Sequence, residues 1–252
     1  MTPNMNEHIN FVKYEYPEYR LFLMAPVGSW NYDCADEHSD VDTKCIVIPS
    51  IDDVIQNKCE SYTHMLPNQE HCDVADIRNF MKSIQKGNPQ FIEVLFSKWL
   101  YANNMYYGEE IHDLIELRED IARCNPQNTM RAMLGMADRN FHLCQQRYNE
   151  PHASKWLYQL LRIEEQMKEY MLGCKFEICL VTNQREDLLY IKNGQWSEKE
   201  IKSIAHNAMT QCTSHYNVFK DLPDTHEDMW TQMRVQQIIT EVCKKSINEV
   251  TR

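Results

Sequence analysis

Gly28, Ser29, Asp40 and Asp42 are the residues whose types and spacing point most directly to chemistry. Residues two apart in an extended chain project to the same face, so Asp40 and Asp42 stand together while Val41 turns back into the core. Two carboxylates side by side repel unless something cationic lies between them. A hard divalent cation accepts carboxylate and phosphate oxygens together. Ten residues before Asp40, the Gly28-Ser29-Trp30 turn supplies what a phosphate needs. Glycine lets backbone N–H groups approach closely, and serine adds a hydroxyl. A phosphate cradle beside paired carboxylates points to phosphoryl or nucleotidyl transfer.

The elements that must position these groups are short apolar runs bounded by breakers. A first strand over about residues 19–25 delivers Gly28 and Ser29. A second, about 42–48, carries Asp42, with Asp40 at or just before its start, and Pro49 ends it. The spacer 30–39 reads as a short helix or a loop. Residues 5–16 predict a short helix that stops at Pro17, and 51–57 a helical turn. Ser61 to Leu66 reads as a third strand and His71 to Val74 as a short return strand that places Asp73 on the sheet. Ile77, Phe80, Met81 and Ile84 then recur at helical spacing, with Asp76 in an N-cap or first-turn role and Gly87-Asn88-Pro89 as stop and restart. Phe91 to Phe96 continues as a buried helix or extended piece. Beyond 108 the strand signals mostly vanish, and helices are expected over 109–123, 127–148, 153–172, 197–219 and 225–248. The expected organisation is α/β (α+β): a small mixed-sheet catalytic domain over 1–108, then a helical-bundle domain over 109–252.

Gly-Ser, a spacer and Asp-x-Asp on the next strand resemble the signature of the DNA polymerase beta-like nucleotidyltransferase superfamily. The finer pattern Gly28-Ser29-x-x-Tyr32 followed by Ser39-Asp40-x-Asp42 is similar to its minimal bacterial and phage branch of predicted nucleotidyltransferases. Further blocks are similar: 71–78, where an Asp-bearing strand runs into Asp76-Ile77-Arg78; 87–96, with Asn88 and Glu93-Val94-Leu95-Phe96; and the helix containing 154–165. The resemblance spans roughly 20–180 in blocks. It implies a small mixed-sheet palm, Mg²⁺ (or Mn²⁺) as cofactor and a nucleoside triphosphate as substrate. Asp40, Asp42 and Asp73 would be the catalytic and metal-binding carboxylates. Gly28, Ser29 and Ser39 would hold phosphates, joined by Lys155 and Arg162, which lie on one helical face with Tyr158. One departure is Asp33, where relatives carry glycine; Asp tolerates left-handed backbone better than most residues, so the turn survives there.

Composition bounds the biology. The 252 residues carry 26 Lys+Arg against 37 Asp+Glu, a net charge of −11. Affinity for phosphate backbone comes from basic surface, so general duplex nucleic-acid binding is not expected. No run of about 18 apolar residues predicts a membrane span, and the N-terminus lacks a secretory pattern. Ten scattered cysteines without a Cys-x-x-Cys pair read as reduced thiols, which places the chain in the cytoplasm. The expected reaction passes a nucleoside monophosphate from a triphosphate to a hydroxyl acceptor (a small molecule, a protein or an RNA end) and releases pyrophosphate. The rival expectations are a catalytically weak or inert nucleotide-binding or interaction protein, as in a toxin–antitoxin-like or phage–host pair, and a metal-dependent phosphohydrolase.

Overall fold

The computed structural model describes residues 1–37, 39–59, 61–150, 153–181, 184–223 and 226–250, with side chains through 247 in the last stretch. Its contacts divide the chain into two compact units. One comprises Met1–Asn31, Ala35–Cys124 and Asp228–Arg252; the other comprises Tyr32–Cys34 and Asn125–Glu227. The change at 108 is a change of secondary-structure type, whereas the contacts group two further helices and the C-terminal helix with the sheet.

The first unit is built on β1 (Arg20–Pro26), β2 (Thr43–Ile48), β3 (Ser61–Met65), β4 (His71–Asp76) and β5 (Tyr101–Ala102). They form one mixed sheet in the order β3-β4-β2-β1-β5. β2 is central: it runs antiparallel to β1 and parallel to β4. Every residue of β2 and all but the first of β1 are buried, so both strands read as continuous apolar runs rather than alternating ones. The register of β1 on β2 slips between Leu21 and Leu23. The carbonyls exposed by that slip are not wasted: the Asn103 side-chain amide donates to Leu21 O at 3.0 Å and its backbone N–H to Phe22 O at 3.1 Å.

Helix α1 (Asn6–Glu15) covers one face, packing Val12, Ile9 and Phe11 on Met24, Cys45, Val47, Cys72 and Val74. After α2 (Ile51–Ile55), the chain forms α3 (Ile77–Gln85) and α4 (Pro89–Ile92), then α5 (Asn104–Glu116) and α6 (Arg118–Arg123). Asp76 is the N-cap of α3, as its position before the periodic run predicts: its carboxylate accepts the Arg78 N–H at 2.7 Å and the Arg78 guanidinium Nε at 3.0 Å. In the same way Asn88 caps α4, with Pro89 at the first helical position.

The second unit is helical: α7 (Pro126–Gln146), α8 (Ala153–Met171), α9 (Phe176–Leu180), α10 (Arg185–Asn193) and α11 (Glu198–Lys220). Met130, Met133 and Ala137 of α7, Leu157, Leu160 and Met167 of α8 and Ile201, Ala205 and Cys212 of α11 are buried stripes at helical spacing. Ser197 and Glu200 close α11 with a reciprocal capping box. The final helix α12 (Met229–Val250) packs on α3, α5 and α6 of the first unit. Its expected start at 225 lies outside the described residues. The short β5, α9 and α10 are additions to the expected elements.

Candidate active site

The Gly-Ser turn and the Asp-x-Asp segment face each other as two strands' ends: β1 leaves at Pro26 and β2 enters at Thr43, and the two are paired there. The pairing extends beyond the strands. The Val27 N–H donates to Asp42 O at 2.8 Å, and the Trp30 indole N–H donates to Asp40 O at 3.0 Å. Trp30, bulky for its place after Gly-Ser, therefore ties the turn to the carboxylate segment. Gly28 has φ +69°, a left-handed conformation that costs an L-residue with a side chain, and Gly28–Trp30 forms a single 3₁₀ turn. Asp33 also adopts φ +57°, so it does take the backbone conformation for which glycine is the usual choice.

Two residues past Ser29, the side-chain amide of Asn31 is buried with neither its oxygen nor its nitrogen hydrogen-bonded among the described residues. A buried amide without partners is rare, and here it stands directly after the Gly28–Trp30 turn. Sequence reasoning missed it; an amide three residues past the turn's glycine was the available signal. Ser39 is used locally: its hydroxyl donates to the Asp36 carboxylate at 3.0 Å and accepts the Asp36 N–H at 2.9 Å, closing the spacer just before Asp40.

Alternation in β2 sorts the site. Val41 and Thr43 turn toward α1, where Glu70 and His8 meet them. Glu70 accepts the Val41 N–H at 2.9 Å and His8 Nε2 at 3.0 Å, while His8 Nδ1 lies 2.8 Å from the Thr43 hydroxyl. Burial raises the Glu70 pKa, but His8, the Val41 N–H and Asn68 outweigh it and hold the carboxyl below its ordinary range. For His8, burial works downward, and the neighbouring Cys72 and Glu70 more than reverse it, raising the ring's pKa.

Asp42 and Lys44 take the opposite face, beside His71 and Asp73 of β4. Lys44 and Asp73 are register partners in the parallel pair. Asp42 is half-buried and its Oδ1 accepts the His71 N–H at 2.8 Å, with His71 Nδ1 at 3.2 Å. Asp73 Oδ2 accepts Lys44 Nζ at 2.9 Å, and its Oδ1 accepts the Thr63 hydroxyl from β3. Burial raises the Asp73 pKa; the Lys44 charge, the Thr63 hydroxyl and His71 outweigh it, so the carboxyl lies below the ordinary range. Asp40 is exposed.

Asp40 and Asp42 bring two carboxylates, the donor type a hard divalent cation takes, to the segment that the Val27 and Trp30 hydrogen bonds hold beside the turn. Asp73 does not stand as an open third ligand: among the described residues, no three His, Cys, Asp or Glu side chains gather as a metal-holding group. Lys155 and Arg162 belong to the second unit. Lys155 is exposed on α8, whereas Arg162 is 3% exposed. The Arg162 guanidinium lies 3.6 Å from the Tyr32 ring centroid and donates to Gln159 and Gln166 of its own helix. Tyr158, on the same face, is also buried. No described helix is long and apolar enough to cross a membrane.

A family model described as RlaP, the RNA repair pathway DNA polymerase beta family, matches residues 1–234. Among solved structures, a nucleotidyltransferase-like protein from Exiguobacterium sibiricum 255-15 is similar at 12% identity and a TM-score of 0.32, covering 98% of this chain and 76% of that one. No curated protein matches the chain.

Proposed function

We propose that this chain, which belongs to the RNA repair pathway DNA polymerase beta family, transfers a nucleoside monophosphate from a nucleoside triphosphate to the hydroxyl of an RNA end. The observation that carries the reading is the pair of ties, Val27 N–H to Asp42 O and Trp30 Nε1 to Asp40 O, that hold the phosphate turn against the paired carboxylates. The family's description names RNA repair, and that supports RNA as the acceptor over a small molecule or a protein.

Each residue takes a role that follows from its chemistry. The Gly28 turn offers backbone N–H groups to the phosphates, and Ser29 adds its hydroxyl. The unsatisfied Asn31 amide gains a phosphate oxygen as partner. Asp40 and Asp42 would hold a divalent cation, Mg²⁺ or Mn²⁺, which when bound neutralises phosphate charge and stabilises the charge that builds on the departing pyrophosphate. Asp73 keeps lone pairs beyond those used by Lys44 and Thr63 and orients the acceptor hydroxyl. Its lowered pKa makes it a weak base, so the role is positioning more than proton removal. The acceptor oxygen bonds to the α-phosphorus, the bond to the bridging oxygen breaks with its electron pair leaving on pyrophosphate, and the hydroxyl proton passes to solvent. Ser39 shapes the loop that presents Asp40, and Arg162 holds Tyr32 in the second unit.

The test is direct. End-labelled RNA incubated with each triphosphate and Mg²⁺ is resolved on a sequencing gel. Growth by one or more nucleotides with stoichiometric pyrophosphate is the expected result. Tight triphosphate binding with no extension of any RNA would favour the inert binding reading, and free pyrophosphate with no labelled acceptor would favour phosphohydrolysis.

A further inference from the structure

Resting on the nucleotidyl-transfer reading, we propose that this site works with a single divalent cation, the buried ammonium of Lys44 occupying beside Asp73 the place that a second ion takes in a two-metal site. Two-metal phosphoryl transfer needs ions about 3.5–4 Å apart, bridged by carboxylates that are open to both. Asp40 and Asp42 can serve one ion, but a second requires Asp73.

Asp73 is already furnished with donors on both oxygens. Lys44 Nζ lies 2.9 Å from Oδ2, and the Thr63 hydroxyl reaches Oδ1. The placement is built into the sheet rather than left to a flexible side chain. Lys44 faces Asp73 in the β2–β4 register, so its stem starts level with the carboxylate it meets. Its side chain is 9% exposed, and its ammonium also lies 4.4 Å from the centroid of the Phe91 ring on α4. Withdrawing it would break an ion pair whose lysine end is buried and a cation–π contact together. A dication arriving at Asp73 with Lys44 in place would meet a positive charge within a few ångströms.

The strand pattern makes the arrangement economical. Asp42, just before β2, and Lys44, within it, meet His71 and Asp73 of β4, so the carboxylate for the ion and the ammonium that replaces its companion are set by the same two-residue step. Lys44 keeps Asp73 ionised and fixed in rotamer for the acceptor hydroxyl, a positioning role with no metal required at that position.

The experiment counts Mn²⁺ by titration with electron paramagnetic resonance, on the full chain saturated with a non-hydrolysable triphosphate analogue. The wild type is expected to hold one Mn²⁺ per complex with no Mn–Mn coupling in its spectrum. Lys44→Met, similar in length and uncharged, is expected to admit a second ion, whereas Lys44→Arg retains one. Two coupled ions in the wild type overturn the proposal, and need no variant to fold. One ion in wild type and in Lys44→Met alike overturns the role of Lys44. Failure to bind any Mn²⁺ or analogue would overturn the nucleotidyl-transfer reading itself, a result distinct from the other two.

Discussion

Substituting Glu70 by Gln probes how the carboxylate segment is held, and the structure gives the size and the pH dependence of the effect. Glu70 reaches the backbone of the segment itself at Val41 and pairs with fully buried His8, which in turn meets Thr43. Gln keeps a carbonyl oxygen for the Val41 N–H but removes the charge facing His8. A hydrogen bond to a charged group contributes roughly 1.5–3 kcal/mol against about 1 for a neutral one, so the substitution should cost about 0.5–2 kcal/mol. The sign with pH follows from both partners. The Glu70 pKa is lowered from 4.5, so its contribution is present above that value and fades as pH falls through its folded pKa. The His8 pKa is raised from 6.5, so its contribution is full below that value and fades as pH rises through its folded pKa. The cost of Glu70→Gln is therefore largest between pH 4.5 and 6.5. Urea unfolding of wild type and variant at about pH 5.5 and about pH 9 reads it, with the gap shrinking below about 1 kcal/mol at the higher pH. An equal gap at both values would refute the ion pair as the source of the stabilisation.

Asp76→Ala removes the N-cap of α3 and leaves the Arg78 guanidinium without its buried partner; differential scanning calorimetry should show a loss of about 3–5 kcal/mol, with a melting temperature lower by roughly 6–20 °C. Trp30→Phe keeps an aromatic ring but deletes the tie to Asp40 O; unfolding should cost no more than about 1.5 kcal/mol, while steady-state RNA extension falls about tenfold as the two halves of the site loosen.

Much of this was legible from local pattern. Apolar runs bounded by Gly and Pro placed β1, β2 and β3 within about a residue of where they lie, and the 3.6-residue period located α7, α8 and α11. Asp76 was visible at the helix start because capping is chemistry between neighbours, and Gly87-Asn88-Pro89 marked a stop and restart where Asn88 proves to be the cap. What stayed hidden depended on contacts far apart in sequence. β5 is two residues long and exists because it borders β1. α12 packs with the sheet unit although more than a hundred residues separate it from α6, and no local signal encodes that return. Arg162 was expected, with Lys155, to hold phosphates from one helical face; it lies buried against Tyr32, a partner 130 positions earlier in the chain. Lys44 was the missed clue within reach: a lysine inside the run Thr43 to Ile48, two residues past Asp42, had to find a counter-charge on a neighbouring strand, and Asp73 was that charge.

The most direct test of the account is calorimetric titration of non-hydrolysable analogues of the four nucleoside triphosphates, with and without Mg²⁺, into the wild type, Asp40→Asn and Asp42→Asn. Asn at 42 retains the oxygen that accepts the His71 N–H, so the fold should persist and its thermal transition should shift little. The account predicts binding that depends on Mg²⁺ in the wild type and is weakened at least tenfold in each variant. Binding of equal strength in wild type and both variants, or no binding of any analogue, would contradict it.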